Sequence, residues 1–337
     1  MEYRFLGRTG LKVSELCMGT QTFGWVTDEP TAQRMADRFV EAGGIFFDTS
    51  NTYNKGLSET MLGQWVKDRG LRDRLVIATK VFFPTGDEDP NATGLSRKHI
   101  IHQIEASLRR LQTDYVDIYQ AHCWDAATPL DETLRAFDDL VTAGKVRYLG
   151  ASNFTPSQLL RAVLMSDARG WARIDCLQPE YSLLVRSPEW ELLPLCREEG
   201  IGFIAWSPLA GGWLTGKYRR DQAAPADSRV GRADRWDDQA EQRVGETTWA
   251  TIDMLQEIAA ERGKTPSQVA INWVLHAPGV TAPIFGARTP EQLEDNLGSV
   301  GWQLSDAERA RLDAASAIPL PSPYSFITRY TRQRTRV

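Results

Sequence analysis

The sequence has no GxGxxG fingerprint, although it carries 26 glycines among its 337 residues. That absence counts against an open, doubly wound sheet, which usually seats a dinucleotide on such a loop after an early strand. No apolar run approaches the roughly 20 residues of a membrane span. The opening Met1-Glu2-Tyr3-Arg4-Phe5-Leu6 lacks the basic-then-apolar pattern of a secretory leader, so the cytoplasm is the expected location. Cysteine is scarce: Cys17, Cys123, Cys176 and Cys196 form no CxxC pair and read as reduced, mostly buried thiols. No Asp, Glu and His cluster suggests a resident divalent metal. Neither sign of charge dominates, with 39 Lys and Arg against 44 Asp and Glu and a net charge of −5. Nucleic acid and anionic membranes are therefore poor candidates for the main partner, although a local basic pocket could still hold a small anion.

What the chain does have is regular alternation. Its composition, 42% hydrophobic and 25% charged, is that of a globular protein, and its length suits one large domain. After a hairpin-like stretch (Tyr3–Phe5, a turn at Gly7–Gly10, Lys12–Leu16), short apolar runs recur. They lie at Leu16–Gly19, Ile45–Asp48, Leu75–Lys80, Val116–Gln120, Val146–Ala151, Cys176–Glu180, Gly202–Trp206 and Thr281–Gly286. Most are apolar almost throughout, as parallel strands buried on both faces are. Helical patterns lie between them. Pro30–Ala42 carries a stripe of Ala32, Met35, Phe39 and Val40, and Ser96–Leu111 opens on a capping serine. Thr155–Val163 and Glu291–Val300 are both announced by a Thr-Pro pair.

Eight such β-then-α units predict an α/β fold of the (β/α)8 TIM barrel type. It spans residues 1–337 as a single domain, with the barrel core at 15–300. Two departures stand out. The segment 207–245, after the seventh strand, is far longer than an ordinary connection. It ends in a charged stretch with Arg219, Arg220, Asp234, Asp237 and Asp238. The Pro-rich tail at 318–337 ends with Arg329, Arg332, Arg334 and Arg336 and reads as a solvated terminus, with a flap or subunit contact as the alternative.

Four residues with acid–base chemistry follow three successive strands: Asp48 and Tyr53, then Lys80, then His122. In a barrel these strand ends share one mouth, so the four can meet. A phenol has a pKa of about 10, and a nearby ammonium favours its phenolate. Asp48 can hold Lys80 by an ion pair, and His122 can donate a hydrogen bond that orients a carbonyl oxygen. Singly, each residue has an ordinary structural explanation, as a cap, a core ring or a surface charge. Together, at strand ends, they point to a proton-delivery unit for a carbonyl.

At these residues the chain resembles the aldo-keto reductase superfamily, over almost its whole length from Gly7-Arg8-Thr9-Gly10 to about Asn296. The run Asp48–Tyr53, the lysine after Ile77-Ala78-Thr79 and the histidine of Asp117-Ile118-Tyr119-Gln120-Ala121-His122 match the family's catalytic tetrad one by one. The resemblance implies an oxidoreductase moving hydride between a nicotinamide and an aldehyde or ketone, or back from an alcohol. NADPH would lie across the barrel mouth without a Rossmann motif. Ser152, Asn153 and Gln178 would hold the nicotinamide carboxamide, and Trp206 would stack on the ring. Gly19 and Thr20 after the first strand would border the same site. Ser207, Pro208, Leu209, Gly211, Gly212 and Lys217 resemble the family's pyrophosphate strap, the glycines allowing close backbone approach.

After the eighth strand, Gly286 leads to Arg288, which would pair with the 2′-phosphate of NADPH. Asp295 and Asn296 would lie at the adenine end, and Gln292 is a further cofactor position. Gln292 stands where many members carry arginine and Ala287 where many carry serine, so NADH is the alternative cofactor. Trp25, Phe82 and Trp124 would line the substrate side, an aromatic wall suited to a ring or a sugar face. The resemblance is closest to bacterial-type branches that include sugar-pathway ketoreductases, and it leaves monomer and homo-oligomer both open. Two rival readings are an NADPH-binding regulator of the potassium-channel β-subunit type and a metal-dependent sugar isomerase or lyase on the same barrel.

Overall fold

The apolar runs become parallel strands because both of their faces are buried, and in the computed structural model they close into a ring. The structure describes residues 1–86, 89–220, 222, 225, 228, 231 and 245–331. Strands β1 (Tyr3–Phe5) and β2 (Lys12–Ser14) form an antiparallel hairpin. The ring is built from β3 (Cys17–Gly19), β4 (Phe46–Asp48), β5 (Val76–Val81), β6 (Val116–Ala121), β7 (Val146–Ser152), β8 (Ile174–Gln178), β9 (Gly202–Trp206) and β10 (Val280–Phe285). Each strand pairs with its sequence neighbour, and β10 pairs in parallel with both β9 and β3, which closes the barrel.

Alternation along each strand sorts the core into two shells. Phe46, Val76, Ala78, Ile118, Ile204 and Ala282 pack together inside the ring, while Phe47, Ile77, Val81 and Leu149 face the helices. The hairpin plugs the bottom. Leu6 and Val13 join the inner cluster. Gly7, at φ 55°, comes so close to the chain that an added Cβ would lie 2.3 Å from the Gly200 carbonyl oxygen. With that end sealed, the top end is left for function.

The helices start where the caps say they should. Ser96 accepts from the His99 N–H ahead of α3 (Arg97–Leu111), and Asp28 accepts from Thr31 ahead of α1 (Glu29–Glu41). Thr155 and Gln158 complete a capping box at α5 (Pro156–Arg169), and Thr289 caps α9 (Pro290–Leu297). Helix α5 runs past the expected Val163 to Gly170, a left-handed terminator. Strand β8 starts before the expected Cys176, because Asp175 is polar yet sits within the strand. The remaining helices are α2 (Leu57–Arg69), α4 (Leu130–Thr142), α6 (Leu192–Glu199), α7 (Glu246–Arg262), α8 (Pro266–Leu275), α10 (Asp306–Ala315) and α11 (Tyr324–Thr331).

In the tail, helix α11 sets Tyr324 against Trp190 with centroids 5.6 Å apart, and most of its described side chains are exposed. Arg332, Arg334 and Arg336 lie outside the described residues, as do Asp234, Asp237 and Asp238. Cys17, Cys176 and Cys196 are buried free thiols and Cys123 is half-buried. Among the described residues, no helix is long and apolar enough to cross a membrane, and no cluster of His, Cys, Asp and Glu is placed to hold a metal.

Candidate active site

Strand register brings the four expected acid–base residues to one end of the barrel. Gly19, Asp48 and Ala78 are aligned across β3, β4 and β5, and Lys80 aligns with Gln120 on β6. The Lys80 ammonium, fully buried, donates to Asp48 Oδ2 at 2.5 Å, to the Thr49 carbonyl at 2.9 Å and to Tyr53 Oη at 3.1 Å. Three N–H groups therefore meet three oxygens. Burial acts to pull this ammonium's pKa down, but Asp48 and then Tyr53 outweigh it, and the pKa lies above the ordinary lysine value. Lys80 stays charged.

Tyr53 opens a tight turn whose next two residues, Asn54 and Lys55, are left-handed at φ 51° and 55°. Such backbone is costly for residues with a Cβ. The Asn54 amide anchors it by donating to the carbonyls of Gln21 at 3.2 Å and Phe23 at 2.6 Å. The His122 ring stands edge-on to Tyr53, with centroids 5.9 Å apart, and its Nδ1 lies 3.2 Å from Ser50 Oγ. Burial, and secondarily the Lys80 charge, push the His122 pKa well below the usual imidazole value, so the ring is neutral.

Three participants were not singled out in the sequence. Gln120 and Gln178 both donate to Asp48 Oδ1, at 3.2 and 2.8 Å, and so occupy the oxygen that Lys80 leaves. Gln120 had a readable signal: it is a polar residue two positions before His122 near the end of β6, hence on the same face. Gly150 makes room for it, since an added Cβ would lie 2.7 Å from Gln120 Cγ and 2.8 Å from Cys176 Sγ. Phe83 is exposed and meets the His122 ring edge-on at 5.0 Å, with Phe82 5.0 Å behind it. Ser50 is the third.

The remaining expected residues fall into groups. Trp25 and Phe82 are half-buried on loops after β3 and β5, and Trp124, after β6, packs edge-on against Phe154 at 5.2 Å. Asn153, left-handed at φ 57°, donates to the His122 carbonyl at 3.0 Å and accepts from Trp206 Nε1 at 3.2 Å. Ser152 Oγ donates to the Gln178 carbonyl at 2.7 Å, so Ser152, Asn153, Gln178 and Trp206 form one connected patch. Thr20 is buried beneath the mouth, where its hydroxyl donates to the Asp48 carbonyl at 3.0 Å.

The loop that starts at Ser207, Pro208 and Leu209 is left-handed at Ser207, Ala210, Gly211, Gly212 and Gly216. The Gly211 N–H donates to Ser207 Oγ at 3.1 Å. Lys217 Nζ lies 2.7 Å from where a Cβ on Gly212 would stand, so a side chain there would displace the amine. Such a run of turned backbone can present N–H groups to an anion. Across the mouth, Gly286 is exposed, and the Arg288 N–H donates to Gln292 Oε1 at 2.9 Å. Asn296 donates to the Gly286 carbonyl at 3.2 Å. The Asp295 carboxylate already accepts from Thr265 at 2.7 Å and Gln268 at 3.2 Å, which ties α9 to the start of α8.

Comparison with known proteins gives this site its family. The profile of the Aldo/keto reductase family matches residues 15–317. The uncharacterized oxidoreductase YrpG of Bacillus subtilis is 42% identical over 93% of this chain and 94% of its own length. A putative voltage-gated potassium channel subunit beta of Schizosaccharomyces pombe is 38% identical over 88% of each chain. Norsolorinic acid reductase of Aspergillus flavus is 32% identical over 94% of this chain and 81% of its own. The chain belongs to the aldo/keto reductase family and is an NAD(P)H-dependent oxidoreductase acting on a small molecule.

Proposed function

We propose that the chain reduces an aldehyde or ketone with NADPH as preferred cofactor, Tyr53 delivering the proton. The observation that carries this reading is the saturated Lys80 ammonium, hydrogen-bonded to the Tyr53 phenol on one side and to Asp48 on the other. When Tyr53 gives its proton to a substrate oxygen, the ammonium at 3.1 Å stabilises the phenolate left behind. Asp48, held by Gln120 and Gln178, keeps that ammonium in place and charged. Neutral His122 orients the substrate without adding charge to the site. Trp25, Phe82, Phe83 and Trp124 offer apolar faces that would exclude water from the reacting carbon.

The cofactor, when bound, supplies the hydride. The patch of Ser152, Asn153, Gln178 and Trp206 suits its nicotinamide end, with Gly19 and Thr20 alongside. The turned backbone from Ser207 to Gly216 and the Lys217 amine suit its pyrophosphate, because the left-handed residues there can turn N–H groups toward an anion and the Lys217 amine lies beside Gly212. Arg288 and Gln292 would meet the 2′-phosphate, and Gly286, Asp295 and Asn296 the adenosine. Residues 15–300 act as the barrel core in this reading.

The aromatic mouth fits a ring-bearing carbonyl or a sugar face. Relatives named as reductases of norsolorinic acid and of versiconal hemiacetal acetate favour a carbonyl compound of that general kind. A regulatory role is the second reading, favoured by the relatives named as channel β subunits at 38% identity. Four-fold assembly without turnover would select it. The decisive experiment is a panel of carbonyls and alcohols, keto-sugars included, run with NADPH and NADH. Tyr53→Phe should keep cofactor binding and lose turnover by about a hundredfold or more. Equal rates in parent and variant would sink the assignment.

A further inference from the structure

The strap read from the sequence ends at Lys217, and the residue after it has no assigned task. Tyr218 is 4% exposed. Its ring packs on Trp213 with centroids 4.7 Å apart, and the Lys217 amine stands 5.2 Å from the ring centre. Its hydroxyl is buried and has no hydrogen-bond partner. A buried phenol ordinarily finds a partner for its O–H, and leaving that bond unmade is unfavourable. Phenylalanine would fill the same space without the cost.

The surroundings of Oη supply a reason for the hydroxyl. Gly212, left-handed at φ 98°, has no side chain. The point where its Cβ would stand lies 2.7 Å from Lys217 Nζ and 3.9 Å from Tyr218 Oη. Two donors from adjacent residues thus converge on one position over the strap. The backbone around it is turned at Ser207, Ala210, Gly211, Gly212 and Gly216, and the Gly212 carbonyl is itself held by Thr215 Oγ1 at 2.8 Å. An ammonium and a hydroxyl set side by side match two oxygens of one phosphoryl group.

We propose that Tyr218 is a phosphate-binding residue, its Oη donating to the same phosphoryl group of the cofactor's pyrophosphate that the Lys217 ammonium meets. Lysine carries its charge on a flexible stem. As the amine moves toward the phosphate, it uncovers the hydroxyl beside it. The ligand-free chain holds that hydroxyl idle, and binding gives it a partner. This inference rests on the pyrophosphate lying at the strap, as proposed above, and not on the carbonyl chemistry at Tyr53.

Tyr218→Phe removes the hydroxyl and keeps the ring. Calorimetry on parent and variant gives Kd values for NADP⁺ and for adenosine 2′-monophosphate, which has no pyrophosphate. The variant should bind NADP⁺ about tenfold more weakly, the worth of one hydrogen bond to a charged group, and should bind adenosine 2′-monophosphate as the parent does. Ligand-free Tyr218→Phe should unfold at the parent's urea concentration or above it, since no bond is lost. An unchanged Kd for NADP⁺ overturns the proposal, and so does an equal loss for both ligands. A ligand-free variant that unfolds at lower urea than the parent also overturns it, because the hydroxyl would then already have a partner, such as an internal water. These measurements turn over no carbonyl, so failure of the carbonyl assignment shows itself separately, as a parent that binds NADP⁺ and catalyses nothing.

Discussion

Removing the Lys80 charge tests the site and the fold together. In Lys80→Met, a carboxylate whose side chain is 4% exposed loses an ammonium at 2.5 Å. Breaking a buried pair from one side costs about 3–5 kcal/mol, because the remaining charge is uncompensated. Here Gln120 and Gln178 still donate to Asp48 Oδ1, which places the loss near the lower end, at about 3 kcal/mol. The double variant Asp48→Asn/Lys80→Met carries no buried charge and should recover about 2 kcal/mol of the loss. It should remain inactive, since nothing stabilises the Tyr53 phenolate. Urea unfolding of parent, single and double variants, beside carbonyl-reduction rates, measures all of this. A Lys80→Met protein within about 1 kcal/mol of the parent would refute the argument. So would a double variant no more stable than the single one.

Arg288→Ala should raise the Kd for NADPH by about tenfold or more while leaving NADH nearly unchanged, as expected if one charge pairs with the 2′-phosphate; titration with each cofactor decides, and equal losses contradict that role. His122 supplies a pH prediction: its folded pKa lies well below its unfolded value of about 6.5, so its contribution to stability is present above that pH and is lost as pH falls through it. The urea midpoint should thus decline more steeply toward about pH 5 in the parent than in His122→Asn, and parallel curves would contradict burial as the cause. Gly150→Ala should push Gln120 away from Asp48 and lower the unfolding free energy by about 1–3 kcal/mol through overpacking, read by the same urea titration; a neutral result would mean that the barrel interior has slack at that point.

Legibility in the sequence followed the physics of each element. Asp48, Lys80 and His122 could be read because each ends or follows an apolar run, where a barrel strand turns its residues toward the mouth. The capped helices could be read because Ser96, Thr155 and Thr289 announce their own first turns. The start of β8 is hard to read in the sequence because the polar Asp175 interrupts the apolar run; in the fold its carboxylate accepts from the Leu149 N–H of the neighbouring strand at 3.3 Å. Burial raises that carboxyl to about 6, against the pull of the Leu149 hydrogen bond and of Arg8 and Arg173. Phe83 and Ser50 were not legible, since their relation to His122 depends on how loops after different strands meet.

Gln120 shows where pattern reading stops and geometry takes over. Its polarity on the inner face of β6 could have been noticed, but its partner could not, because Asp48 is two strands away around the ring. That reach crosses the barrel interior, and it is possible only because Gly150 leaves the space open. The ion pair of Asp48 and Lys80 is costly to bury and makes little sense as a stabiliser, since an apolar pair of similar volume could fill the same interior as well. Its cost is intelligible if the ammonium must stand against the Tyr53 phenol, and two amides and a glycine are arranged to keep it there. The polar top and the apolar bottom of the barrel are thus one packing problem solved twice. Leu6 and Val13 close the end that needs no chemistry, and at the other end the residues that could have closed it are polar.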